Sequence, residues 1–393
     1  MIELRLVRLA EVADIESGAG FPLHHQGKNR EQYPFLKVSD MNLVGNDRCI
    51  YRWNHSVSEE TRVQLRARAF PPGTVIFPKI GAAIATNKKR IITKPSCVDN
   101  NVMGATPKPD SLVSEYLYHL FRATDISQFA SASNPPSIRK SEVENWMVRI
   151  PPLGEQRRIV GLLDRAAEIR RRADAARAKA RAIIPALFLN TFGDPATNPK
   201  GWPMVTVGDL LESAAYGTSL KANDRNEGIP MIRMGNVTTG GQLDTSDLKH
   251  IHIVGPEREK AELLPGDLLF NRTNSKELVG KTGLWDGRFG AVAASYFIRL
   301  RAKRDRCDPT YLWAFFNAAF MKRMLFDTAR GAIGQANINA KELRAFRVAA
   351  PPVPLQTAFA EQVHRLESLA RHLDAAAAKA AAMAASLSAE VFG

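Results

Sequence analysis

The sequence predicts an α+β chain in which one plan is used twice. Two strand-rich mixed domains stand in tandem, each followed by a long helix, and the helices pair as an antiparallel coiled coil with pseudo-two-fold symmetry. Three observations predict this. Motifs recur at an offset of about 200 residues. Each copy ends in a stretch with helical periodicity, and the 393 residues are too many for one ordinary core. The division that follows is 1–154 for the first domain, 155–193 for the first helix, 194–354 for a linker and the second domain, and 355–393 for the second helix.

The repeat is read element by element. YPFLKVSDMN (33–42) answers GIPMIRMGNV (228–237), a strand running into a polar turn. FPPGTVIFPK (70–79) answers LLPGDLLFNR (263–272), a Pro-Gly turn feeding an apolar strand. SEYLYHLFRA (114–123) answers PTYLWAFFNA (309–318), a short amphipathic helix. Pro151-Pro152-Leu153 with Gln156 returns as Pro351-Pro352-Val353 with Gln356, and Phe192-Gly193 as Phe392-Gly393.

Steps of three and four through the first tail pick out a seam of Ile159, Leu162, Ala166, Ile169, Ala173, Ala176, Ala180, Ile183 and Leu187. Two hundred residues on, the seam reads Phe359, Gln362, Leu366, Leu369, Leu373, Ala376, Ala380, Met383 and Leu387, with Gln362 its one polar member. Each helix is about 58 Å long at 1.5 Å per residue, and the alanines allow close approach of two backbones. Pro185 is expected to kink or end the first helix.

The 45% apolar and 24% charged composition is that of a folded protein. Three separated cysteines exclude a disulfide framework and a Cys-rich zinc module and suit a reducing cytosol. No signal peptide and no run of about 18 apolar residues is seen, so a cytoplasmic protein without a membrane span is expected. The net charge of +14 favours an anionic partner, nucleic acid first. Residues 1–154 hold 20 basic and 15 acidic residues, 155–193 hold 9 and 4, 194–354 hold 22 and 17, and 355–393 hold 3 and 4, so the first helix contributes as much as either domain and the second helix nothing. A disordered basic arm is therefore not its source.

Catalytic motifs fail on inspection. Asn134-Pro135-Pro136-Ser137 is close to the Asn-Pro-Pro-aromatic motif of adenine methyltransferases, but Ser137 cannot stack on a flipped base. Gly280-Lys281-Thr282 resembles the end of a phosphate-binding loop whose first glycine is replaced by Ser275. Pro109-Asp110 with Glu115 begins a metal-nuclease motif, but Leu117 stands where its lysine belongs. Gly18-Ala19-Gly20 reads as a turn, and His250 with His252 lack a third metal ligand. No metal site and no catalytic residue is assigned.

The duplicated order of a strand, a Pro-Gly turn and a Pro-Pro…Gln motif leading into a long helix resembles the specificity subunit of type I restriction–modification systems. The residues that carry it are YPFLKVSD, FPPGTVIFPK and NPPSIRKSEVENWMVRIPPLGEQ in the first copy, and IPMIRMGN, LLPGDLLFNRT and ANINAKELRAFRVAAPPVPLQ in the second. The linker FGDPATNPKGWP (192–203) is similar to that family too. Pro354-Leu355 departs from it, standing where the first copy has Gly154-Glu155. The resemblance implies two target recognition domains, each reading one half of a bipartite double-stranded DNA target. The helices would set the half-site spacing and dock two methyltransferase subunits, with nuclease/translocase subunits joining. Adenine N6-methylation and cleavage would belong to the partners, S-adenosylmethionine would be bound by the methyltransferase, and this chain would carry no cofactor.

Base edges are read by Arg or Lys at guanine and Asn or Gln at adenine, and phosphates are held by cations. The candidates in the first domain are Lys37, Ser39, Lys79, Lys88, Lys89, Arg90, Ser137, Arg139 and Lys140. Those in the second are Arg233, Asn236, Arg272, Asn274, Lys276, Lys281, Gln335, Asn337 and Asn339. The basic face of the first helix (Arg165, Arg170, Arg171, Arg172, Arg177, Lys179, Arg181) faces DNA, an acidic partner or solvent. Two competing readings remain at this point: a stand-alone methyltransferase or restriction enzyme, and a coiled-coil adaptor that does not bind DNA.

Overall fold

A computed structural model describes residues 4–223, 225–275, 278–328 and 336–393. They form two compact units, Met1–Arg172 with Ala375–Gly393, and Ala173–Asp374. Each long helix contributes one part to each unit.

In the first unit a five-stranded sheet runs Ala13–Ser17, Val102–Pro107, Val75–Pro78, Arg90–Ile92, Cys49–Ile50. Its pairs are antiparallel except the last. Val75, Ile76 and Phe77 are all fully buried, so this strand reads as an unbroken apolar run instead of alternating. The helix Ser114–Ala123 covers the sheet through Tyr116, Leu117, Leu120 and Phe121, with Phe121 stacked on Phe77 at 4.9 Å. The second unit repeats the first four strands as Leu211–Tyr216, Phe297–Ala302, Leu268–Asn271 and Thr282–Leu284, the last in the place of Arg90–Ile92. Its helix Pro309–Asn317 is extended by a second, Ala319–Thr328. A smaller three-stranded sheet accompanies each: Ser56–Val57, Tyr33–Leu36, Cys97–Val98, and Lys249–Ile251, Ile229–Ile232, Val292–Ala293. Cys97 and Cys307 are buried, and burial pushes both thiols up to about 12, which leaves them unreactive.

Gly18 does not form the expected turn. It continues the strand, Ala19 bridges Asp99, and a Cβ on Gly18 would lie 2.0 Å from the Asp99 carbonyl oxygen. Gly217 repeats this, with 2.3 Å to the Ala293 oxygen. Glycine is required at both places because another backbone occupies the space of a side chain.

The Pro-Pro…Gln motif is a structural joint. Gln156 is fully buried; its Oε1 accepts from Val113 N–H (2.8 Å), and its Nε2 donates to the Ser111 (2.9 Å) and Pro151 (2.8 Å) carbonyls. Gln356 does the same with Asp308 N–H (2.9 Å) and the Arg306 (3.4 Å) and Pro351 (2.8 Å) carbonyls. Beside them Tyr116 Oη donates to Arg149 O and Tyr311 Oη to Ala349 O. Each domain is thereby tied to the first turn of its own helix.

The long helices run Leu153–Phe192 and Val353–Phe392, 40 residues each. Pro185 does not end the first, which continues for two further turns. In the first unit Ile159 and Leu163 pack in one core with Val391, Ala384 and Leu387. In the second, Ile184, Phe188 and Phe192 meet Phe359, Val363 and Leu366. The start of one helix packs against the end of the other in both units, which is antiparallel pairing.

The seam differs from the heptad expectation. Ala173 and Ala380 are buried, and Ala166, Ala176, Leu366, Leu373 and Leu387 are half-buried. Leu162, Ile169, Ile183, Leu369 and Met383 are 39%, 44%, 47%, 53% and 64% exposed, and Ala376 is exposed as well. The buried apolar positions on the first helix are Ile159, Ala173 and Ala180 of the seam, with Leu163, Ile184, Phe188 and Phe192. One row of the seam, Ile159, Ala166, Ala173, Ala180 and Leu187 at seven-residue spacing, is buried or half-buried, whereas Leu162, Ile169 and Ile183 of the other row are exposed. Toward the ends the partner is a domain core, and steps of four follow the 3.6-residue period of a straight helix instead. The second long helix is long and apolar enough by composition to cross a membrane, a property of its alanines; Phe359, Val363 and Val391 within it are committed to the domain cores.

Candidate nucleic-acid interface

Two candidates in each domain meet where the central strand ends. In the first domain Lys79 follows the strand Val75–Pro78. Its N–H donates to Asn101 O (2.8 Å) and its carbonyl accepts from Ile138 N–H (2.8 Å). Ile80 bridges Ser137, and Lys79 Nζ donates to Ser17 Oγ at 3.0 Å. In the second domain Arg272 follows Leu268–Asn271, with its N–H on Tyr296 O (2.9 Å) and its carbonyl accepting from Ile338 N–H (2.9 Å). Thr273 pairs with Asn337, and the Arg272 guanidinium lies 4.7 Å from the centre of the Tyr216 ring. Arg272 Nε donates to Asn337 Oδ1 (3.2 Å), which also accepts from Thr273 Oγ1 (3.1 Å). The backbone registers coincide, so Lys79 and Arg272, Ser137 and Asn337, and Ser17 and Tyr216 are equivalent.

Other candidates have partners of their own or face solvent. Ser39 and Arg139 are exposed. Lys37 Nζ donates to Gln26 (3.1 Å), and Lys88 to Asn42. Lys140 sits between Glu16 (3.0 Å) and Glu144 (3.6 Å), and Arg233 faces Asp247 at 3.3 Å. Asn274 accepts from Ser275 N–H, and Asn339 caps the helix Ala340–Ala345 while Glu342 returns a bond to its N–H. Lys276 and Gln335 lie outside the described residues.

Four candidates are turned inward. Lys89 is 3% exposed, its ammonium donates to Thr124 O (2.9 Å), and burial pushes it down to about 8. Arg90 donates to the Lys89 and Met41 carbonyls. Lys281 Nζ is held by Met234 O (3.0 Å) and Val237 O (2.7 Å), and burial lowers it too, so no phosphate cradle forms there. Asn236 is buried, accepting from Arg233 N–H and donating to the Asp244 and Asp247 carbonyls; Asp40 makes the matching turn in the first domain. A loop rich in cations does not show which of them satisfy carbonyls inside. Lys89→Met is accordingly expected to leave the salt dependence of DNA binding unchanged. A titration of affinity against salt checks this, because loss of a phosphate contact would reduce the slope by about 1.

Sequence reasoning missed Ser17 and Tyr216, although both directly precede the repeated glycines. It also missed an ion cluster in the first unit, where Asp164 on the long helix accepts from Arg48 (2.7 Å) and contacts His119 Nε2 (3.1 Å). Among the described residues no group of His, Cys, Asp and Glu is arranged to hold a metal ion.

A duplicated domain with a shared backbone register and a long antiparallel helix pair defines a class, and the comparisons identify it. The family model described as the type I restriction modification DNA specificity domain matches residues 1–171 and 199–376. The chain belongs to this family. It is 27% identical over 290 residues to the type I restriction enzyme EcoKI specificity subunit of Escherichia coli, covering 68% of this chain and 61% of that one. It is 25% identical over 173 residues to a putative type I restriction enzyme MjaX specificity subunit of Methanocaldococcus jannaschii, covering 44% of this chain and 40% of that one. The matches thus span less than two thirds of these relatives. Two solved structures share the fold across all of this chain: the S subunit of a type I system from M. genitalium (96% of that chain, TM-score 0.63, 11% identity) and a chain from a study of type I R-M complex assembly (98% of that chain, TM-score 0.56, 18% identity).

Proposed function

We propose that this chain is the DNA-reading, non-catalytic specificity subunit of a type I restriction–modification complex, each domain reading one half of a bipartite target. The observation that carries this is the matched junction: two separately folded units hold a cation at one backbone register, beside a polar residue from the same neighbouring strand. Leu162 and Ile169 in the first unit, seven residues apart on the first long helix, are exposed apolar positions on which a methyltransferase subunit docks. Nuclease/translocase subunits join that assembly in the cytoplasm. S-adenosylmethionine and adenine N6-methylation belong to the methyltransferase.

The test is binding of the chain with its methyltransferase partner to duplex DNA, followed by mapping of methylated adenines with and without the chain. Salt-sensitive binding and a split motif that vanishes on deletion are expected. Methylation or cleavage by the chain alone would reject the reading in favour of an enzyme; no binding even with the partner would favour an adaptor. The helices act as a ruler in this reading. Seven residues inserted after Ala175 lengthen the first helix by about 10 Å, and are expected to change the gap between half-sites or abolish recognition, with both half-site sequences unchanged. A changed half-site with the original gap would count against it.

A further inference from the structure

We propose that Arg272 is a guanine-reading residue of the second domain, with its fork aimed by Tyr216 and Asn337, and that Lys79 occupies the same reading position in the first. The inference rests on the DNA-reading function proposed above and names the base and the residues.

Three contacts define the guanidinium. Its backbone is locked on both sides by strand hydrogen bonds, to Tyr296 O and from Ile338 N–H. One face lies against the Tyr216 ring, whose hydroxyl is itself held by the Ala340 N–H. Nε is used by Asn337 Oδ1, an oxygen already fixed by Thr273 Oγ1. The plane of the fork is therefore set before any ligand arrives, and the Nη donors have no partner among the described residues. Arg272 is half-buried and Asn337 exposed, so the fork stands at the surface.

Two coplanar donors match two acceptors on one edge. In the major groove only guanine offers such a pair, N7 and O6. Adenine places an amino group where the second acceptor should be, and an arginine N–H facing an N–H donor is repelled. A phosphate would be served equally by an untethered side chain, since its oxygens accept from many directions; ring stacking and a dedicated amide contribute to orientation, which is what base reading needs.

Lys79 shares the two backbone bonds, but its ammonium is a point charge tied to Ser17 Oγ. The first domain is thus expected to discriminate less sharply at its corresponding position.

The experiment uses the full chain with its methyltransferase partner and duplexes randomised in one half-site at a time. Arg272→Ala should flatten the preference for guanine at a single position of one half-site by about 10- to 100-fold, the range of one bidentate pair, and leave the other half-site unaltered. Arg272→Lys keeps the charge and should retain most overall affinity while losing most of that discrimination. Tyr216→Leu and Asn337→Ala should each lose part of it, and Lys79→Ala should act in the opposite half-site with a smaller change. The proposal is overturned if Arg272→Ala weakens all sequences evenly and lowers the salt slope by about 1, the mark of a phosphate contact. It is also overturned if Arg272→Lys keeps full discrimination. Absence of any sequence preference in the unmodified chain would instead remove the DNA-reading function itself.

Discussion

Asp267→Ala is expected to destabilise the second unit by about 3–5 kcal/mol, the cost of leaving buried charge without its partner. The Asp267 side chain is 2% exposed and takes both oxygens to Arg301, Nε–Oδ1 at 2.8 Å and Nη2–Oδ2 at 3.2 Å. Arg299, 7% exposed, has its Nε 3.8 Å from the same carboxylate, and burial already lowers its affinity for a proton. Asp267 also accepts from Leu264 N–H, closing the Pro-Gly turn. The internal repeat supplies a control. Thr74 and Thr106 stand at the equivalent positions of the first domain and share a 2.9 Å hydrogen bond between hydroxyls. Converting Asp267 and Arg301 together to threonine should therefore cost less than Asp267→Ala, because the half-buried guanidinium that the carboxylate holds leaves with it. Urea unfolding of the three proteins is the measurement; equal losses for the single and double variants would show that the charge pair is not the cause.

Gln156→Leu and Gln356→Leu should each cost about 1–3 kcal/mol or more. The volume is nearly kept, but three backbone groups lose the buried amide as partner in each case, one of them, the Pro151 or Pro351 carbonyl, in a buried bond, at about 1–3 kcal/mol for each group that water does not reach. Thermal unfolding of the single and double variants is expected to show a similar loss from each site, because the two joints are built alike. A change under about 1 kcal/mol would mean that water replaces the amide and that the joint is not dry. Together with the ruler insertion, these variants separate holding a domain on its helix from reading DNA.

Much of the architecture was legible because duplication leaves a signal that local propensity does not. Paired motifs at one offset placed both domains and both helices, and the Pro-Gly turns located the central strands. The seam was legible only in part. A heptad assumes that a helix has another helix as its sole neighbour, whereas Ile184, Phe188 and Phe192 pack into a domain core and pull the buried face out of that register. Candidate contacts were legible as residue types and not as directions. Lys89 and Lys281 look like any other lysines of polar loops, and their carbonyl partners, Thr124 and Val237, lie 35 and 44 residues away.

By itself the sequence determined the duplicated α+β plan, the long helices that follow each domain and the basic character shared between the halves. These follow from periodicity, spacing and composition, which are properties of the chain read along its length. Only the tertiary structure decided which side of each helix is buried, which cations are spent on internal carbonyls, and which are held at the strand ends. Those outcomes depend on residues distant in sequence: Tyr216, Arg272 and Asn337 come from separate segments, and the arrangement they form exists only once strand pairing has brought them together.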